Sequence, residues 1–105
     1  MIKNCTPHKV SVYADTDTIL EFPSCGIVPR CEQHEELIGK IDNIQITKQI
    51  FGDVTDLPEQ EDGVCLIVSR LVATACPNRS DLLVPGPLIR DEEGKVVGCN
   101  GLSKI

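Results

Sequence analysis

Aromatic side chains are nearly missing from this 105-residue chain: Tyr13, Phe22 and Phe51 are the only three, and there is no tryptophan. Proteins that hold single-stranded nucleic acid stack successive bases on aromatic rings, and no such platform can be assembled here. Positive charge is scarce too. Ten Lys and Arg stand against sixteen Asp and Glu, a net charge of −6, and a surface of that sign repels a phosphate polymer. DNA and RNA are therefore excluded as partners. A small anionic ligand is not, because a few clustered arginines make a locally positive pocket on an acidic protein. No apolar run approaches the ~20 residues of a membrane helix. The opening MIKNCTPHKVSVY also lacks the apolar stretch of a signal peptide, so the expected location is the cytoplasm, with no membrane partner. Phosphate-loop, dinucleotide, serine-hydrolase and zinc-protease motifs are all lacking. The chain reads as a non-enzyme without a cofactor.

What is abundant is cysteine. Cys5, Cys25, Cys31, Cys65, Cys76 and Cys99 would form a disulfide framework in a secreted mini-protein, but without an export signal they read as reduced thiols. Cys65, Cys76 and Cys99 lie among apolar neighbours and read as small buried hydrophobes. Cys5-x-x-His8 and Cys31-x-x-His34 are matched thiolate and imidazole pairs of the kind tetrahedral zinc accepts. Pro7 in the first pair works against a shared ion, as does the extended path of the second, where residues three apart point to opposite faces. No metal is expected. A cysteine nucleophile would need His8 or His34 as its base, and neither lies in a recognisable motif.

The chain is expected to form one domain, residues 1–105, organised around the stretch from Gly63 to Leu102. Val64–Val68 is a short β-branched run that reads as a buried strand. Ser69 sits at a helix N-cap position, and Leu71, Val72, Ala75 and Cys76 follow at helical spacing until Pro77 stops the helix, predicting one over about residues 69–76. Pro77–Pro87 reads as a long loop ending in the rigid Pro85-Gly86-Pro87 turn. Asp91–Lys95 reads as a hairpin turn, with Gly94 at positive φ, joining Pro87–Arg90 to Val96–Cys99. Upstream, His8–Tyr13 alternates with Val10 and Val12 on one face, Ala14–Thr18 reads as a turn and Ile19–Phe22 resumes extended structure, predicting a hairpin. Ile27–Leu37, with Pro29, predicts an edge strand or extended segment of little burial. Ile38–Gly52 alternates most regularly, predicting a half-buried antiparallel strand, or a hairpin whose turn is Asp42-Asn43. Val54–Gly63, with Glu59, Glu61 and Asp62, reads as a solvated acidic loop. The sum is an α+β fold, a mainly antiparallel β-sheet of six to eight strands with one short helix packed on it.

The candidate binding residues are Ser69, Arg70, Arg79, Ser80, Asp81 and Arg90. A short helix and its return loop bring their ends near one another, guanidinium groups grip phosphates bidentately, and a helix start adds free N–H donors. The opposing reading is that these arginines pair with Asp81 and Asp91 and lock the loop.

Several local patterns stand out: Asn4-x-Thr6-Pro7-His8, Gly52-x-Val54-x-x-Leu57-Pro58, Val68-Ser69-x-Leu71-Val72, Val84-Pro85-Gly86-Pro87, Arg90-Asp91 and Val97-Gly98-Cys99-x-Gly101-Leu102. Together they resemble a family of short hypothetical proteins of bacteria and their phages, over nearly the whole chain. Cys5 departs from it where an aliphatic residue is expected. The resemblance implies a context: small phage proteins inhibit host defence, either by sequestering a nucleotide immune signal, as the Thoeris and CBASS sponges do, or by plugging a host protein. The expected function is thus a non-catalytic, homo-oligomeric sponge for a small phosphorylated nucleotide, cyclic or ADP-ribose-like. The alternative is an acidic protein-interaction inhibitor that presents Glu35, Glu36, Glu59, Glu61 and Asp62 to a basic host site.

Overall fold

The computed structural model describes residues 1–15 and 17–105. Along the chain lie β1 (Ile2–Asn4), β2 (Val10–Tyr13), β3 (Ile19–Phe22), β4 (Arg30–Ile41), β5 (Ile44–Thr55), β6 (Cys65–Ile67), α1 (Arg70–Ala75), β7 (Leu82–Pro85), β8 (Leu88–Arg90), β9 (Val96–Asn100) and β10 (Leu102–Ser103). Strands dominate and one short helix accompanies them, as expected of an α+β chain. Strand order is β1-β6-β7-β10 in the first sheet and β3-β2-β9-β8 in the second, while β4 and β5 form a separate two-stranded ribbon. The pairs β1/β6, β6/β7 and β2/β9 are parallel. The sheets are therefore mixed, which corrects the expectation of a mainly antiparallel one. Hairpin turns announce antiparallel pairs locally, whereas parallel partners such as Asn4 and Ile67 lie far apart in the chain and leave no local trace. The ten strands among the described residues also exceed the six to eight expected. β1 and β10, three and two residues long, are too short to show a period.

The run Val64–Val68 supplies β6, the strand between β1 and β7. Leu66 and Ile67 are 3% and 0% exposed although they point to opposite faces. A strand with parallel neighbours and both faces covered is apolar at every position, which is why this run does not alternate. Leu66 and Val68 pack with Cys5, Val72, Ala73, Leu82 and Val84 in the core cluster. Ser69 caps α1 as predicted, its Oγ accepting the Val72 N–H at 3.2 Å. The helix turns Val72 and Ala73 into the core and ends at Cys76, before Pro77. It forms the crossover that returns the chain parallel to β6 as β7. The expected loop over Pro77–Pro87 thus contains a strand, with Leu82 and Val84 buried at alternate positions.

Two strands change sheets side by side. Pro85-Gly86-Pro87 carries the chain from β7 in the first sheet to β8 in the second, and Gly101, at φ 71°, carries it back from β9 to β10. The corners are stitched by Gly86 N–H to Gly101 O at 3.0 Å and Asn100 N–H to Pro87 O at 2.8 Å.

The ribbon behaves differently. Asp42 and Asn43 adopt φ 51° and 66°, the two left-handed residues of a type I′ turn, so the hairpin predicted there forms. Its arms are twelve residues each, running well past the predicted limits on both sides. The expected half-burial over Ile38–Gly52 is not found: Ile41 and Ile44 are 65% and 64% exposed. β4 and β5 pair only with each other, and only Cys31 and Val54 at the base pack against the core. Arms of that length span about 40 Å. The radius of gyration, 16.8 Å, accordingly exceeds the ~13 Å of a compact domain of this size.

The corner makes a stability prediction. A side chain at Gly86 would collide with the carbonyl oxygens of Asn100 and Gly101, so Gly86→Ala is expected to cost about 2–3 kcal/mol through backbone displacement. Denaturant unfolding measures this, and an unchanged midpoint would refute the packing described.

Candidate functional site

Arg79, Ser80 and Asp81 lie on the short connection between α1 and β7. Its turn is fixed by the Arg79 N–H donating to Cys76 O at 3.1 Å, and Asp81 O accepts the Leu66 N–H at 2.8 Å, joining the connection to β6. The Arg79 guanidinium then folds back on Asp81. Nε donates to Oδ1 at 2.8 Å and Nη2 to Oδ2 at 2.7 Å, a bidentate fork, while Nη2 also donates to Pro58 O at 2.8 Å. Asp81 is 4% exposed. The Arg79 hydrogen bonds hold its carboxyl below the usual carboxylate range, outweighing the burial that pushes it up. Asp81 in turn pushes the guanidinium up. Beside them the Ser80 hydroxyl accepts from Gln60 Nε2 at 2.9 Å. Arg79 and Ser80 thereby clasp the acidic segment around Pro58–Glu61 onto the body; the Arg79–Asp81 fork is the internal pairing weighed against ligand binding, while no arginine pairs with Asp91 among the described residues.

The remaining candidates are placed elsewhere. Ser69 is occupied as the helix cap. Arg70 opens α1, is exposed, and makes no ion pair among the described residues. Arg90 lies on β8 in the second sheet, where its Nη1 donates to Gly94 O at 2.9 Å and closes the β8–β9 turn. Arg79, Ser80 and Asp81 form one cluster, and the guanidinium of Arg90 serves a different one.

Recesses of opposite character flank this cluster. A cleft of about 420 Å³ is lined by Lys3, Cys5, Cys25, Glu59, Glu61 and Asp81 together with apolar side chains. Three carboxylates against one lysine make it unfavourable for phosphate. On the other side is a notch of about 90 Å³ between the end of α1 and Lys104–Ile105, lined by Arg79 and Lys104 and by no carboxylate side chain. With Nε and Nη2 engaged, Nη1 is the Arg79 nitrogen without an acceptor among the described residues. Lys104 escaped the sequence reading because it belongs to no motif. Only the path of β10 brings it to the end of the helix.

The two buried cysteines, Cys5 and Cys99, are chemically quiet. Cys5 Sγ lies 3.5 Å from Cys25 Sγ, and burial first, then this contact, pushes the Cys5 thiol up to about 11. Burial likewise pushes Cys99 up. Both thiols stay protonated near neutrality and are poor nucleophiles. Among the described residues no three His, Cys, Asp or Glu side chains gather as metal ligands, and no helix is long and apolar enough to cross a membrane. Comparison of the chain with protein-family models, with curated proteins and with solved structures finds no match.

The fork implies a pH dependence. A depressed carboxyl contributes stability that is present above its unfolded value, about 3.9, and lost as pH falls through the lower folded value. The melting temperature is therefore expected to drop below about pH 4 in a component that Asp81→Asn removes. That variant should also be less stable by about 2 kcal/mol at pH 7. Equal acid sensitivity in both proteins would contradict the assignment.

Proposed function

We propose that this chain is a non-catalytic binding protein that sequesters a small phosphorylated, nucleotide-derived ligand, with a phosphate seated in the notch beside Arg79 and Lys104. The observation that carries this reading is the lining of that notch: two cationic side chains, Arg79 and Lys104, and no carboxylate side chain, on a chain of net charge −6. At about 90 Å³ it is far smaller than the ~300–1,000 Å³ of a site that encloses a whole small-molecule ligand, so a single group of the ligand is what enters it. The nucleoside part of the ligand then lies outside the notch. Asp81 supports the site indirectly, because a guanidinium already held in a fork loses little freedom when it meets a phosphate. In the context that the family resemblance implies, the ligand is a cyclic or ADP-ribose-like immune signal and the protein a phage sponge acting in the host cytoplasm as a homo-oligomer.

A second reading, an acidic inhibitor that blocks a host defence protein, is favoured by the Pro58–Glu61 segment. Glu59 and Glu61 are presented at one cleft, and Arg79 and Ser80 hold the segment in place. Rim charges of this kind act chiefly on association rate.

Native mass spectrometry of the protein purified from cells, followed by denaturation and identification of released molecules, separates the readings. The sponge reading expects an intact nucleotide, and the inhibitor reading expects a co-purifying protein with no small molecule. Calorimetry against cyclic nucleotides and ADP-ribose should then show Lys104→Glu weakening binding by about 1.5–3 kcal/mol, the range for charge-assisted contacts, with an unchanged melting temperature. Lys104 is the informative position, since Arg79→Ala would leave Asp81 buried without its partner. Full affinity in Lys104→Glu would remove the notch as the site.

A further inference from the structure

The ribbon presents an apolar face that the described chain does not cover, and its register specifies what fits it. Paired residues on antiparallel strands share a face, so Ile41/Ile44, Gly39/Ile46 and Glu36/Lys48 lie in succession along one side of the ribbon. Isoleucines flank the turn at about two-thirds exposure. Gly39 adds no side chain opposite Ile46, and the position where one would sit is open. Then comes one acid on β4 beside one base on β5.

We infer that this face is the interface between two copies of the chain, packed ribbon on ribbon with the two-fold axis running along the ribbons. That operation exchanges the β4 and β5 sides, and every step of the succession then meets its complement. Ile41 of each copy faces Ile44 of the other, Ile46 enters the hollow over the other copy's Gly39, and Glu36 faces the other copy's Lys48. An axis across the ribbons would set Glu36 against Glu36 where it crossed at that step, and Ile41 over the other copy's Glu36 where it crossed at Gly39, so charge and burial select the parallel arrangement. One face of a two-stranded ribbon is a small interface, at the low end of specific contacts, about 1,000 Å² in total, so a weak dimer is expected. A two-stranded ribbon is marginal alone in water, and a second ribbon over its apolar side supplies the missing burial. The inference stands apart from the ligand reading, since it uses no residue of the notch.

Sedimentation velocity of the full chain over a dilution series tests it. The wild type is expected to dimerise weakly, and Ile44→Glu to weaken dimerisation at least about tenfold while leaving the circular dichroism unchanged. Glu36→Lys alone and Lys48→Glu alone should each be monomeric, because each places like charges across the interface. Mixing the two should restore a one-to-one heterodimer, in which both cross-contacts are again complementary. A wild type that remains monomeric at the highest concentration, a dimer indifferent to Ile44→Glu, or two charge variants that stay apart on mixing would each overturn the proposal.

Discussion

The two sheets are held to one another by the side chain of Asn4, which is 1% exposed and fully hydrogen-bonded. Its Nδ2 donates to His8 O and to Phe22 O, each at 2.8 Å, and its Oδ1 accepts the Thr6 N–H at 3.0 Å and the Thr6 hydroxyl at 2.6 Å. Its carbonyl accepts the Cys25 N–H at 2.9 Å. One residue at the end of β1, an edge strand of the first sheet, therefore ties down the segment entering β2 and the far end of β3 in the second. A buried amide with every donor and acceptor satisfied is rigid, and removing it would strand several backbone groups away from water at once. The Asn4-x-Thr6-Pro7-His8 pattern thus has a structural explanation that requires no ligand.

A second lock of the same kind is the fork of Arg79 on Asp81, which holds the acidic segment against β6 and β7. Together with the stitched corners at Gly86 and Gly101, these contacts explain why a chain with so few aromatic residues can keep a defined body. Much of its specificity comes from directional polar bonds around a core of small aliphatic and thiol side chains. The consequence for function is a division of labour. Asn4, Arg79 and Asp81 are engaged in holding the body together, whereas Arg70 at the helix start, Lys104 at the notch and the isoleucines by the ribbon turn are exposed.

That division also explains what the sequence reveals. Ser69 before an apolar helical spacing, Pro77 after it, Asp42-Asn43 between alternating arms and Gly94 in an acidic turn each act within a few residues, and each element stands where these signals put it. The parallel ladders of β1, β6 and β7 depend on partners distant in the chain. Alternation in β5 shows that its two faces differ, yet says nothing of whether anything covers the apolar one. Arg79 and Asp81, two residues apart, could be recognised as either a ligand site or an internal pair, and only the positions of the guanidinium nitrogens distinguish the two. Lys104 carries no local signal at all.

Amide hydrogen exchange followed by mass spectrometry, on dilute and concentrated wild-type protein, tests the locked body and the proposed ribbon interface together. β1, β6 and β7 are expected to be the most protected and to be indifferent to concentration. The ribbon beyond Cys31 and Val54 should exchange quickly when dilute, because its ladder opens locally at little cost, and slowly when concentrated. Rapid exchange in β6 and β7, or a ribbon equally protected at both concentrations, would contradict the account.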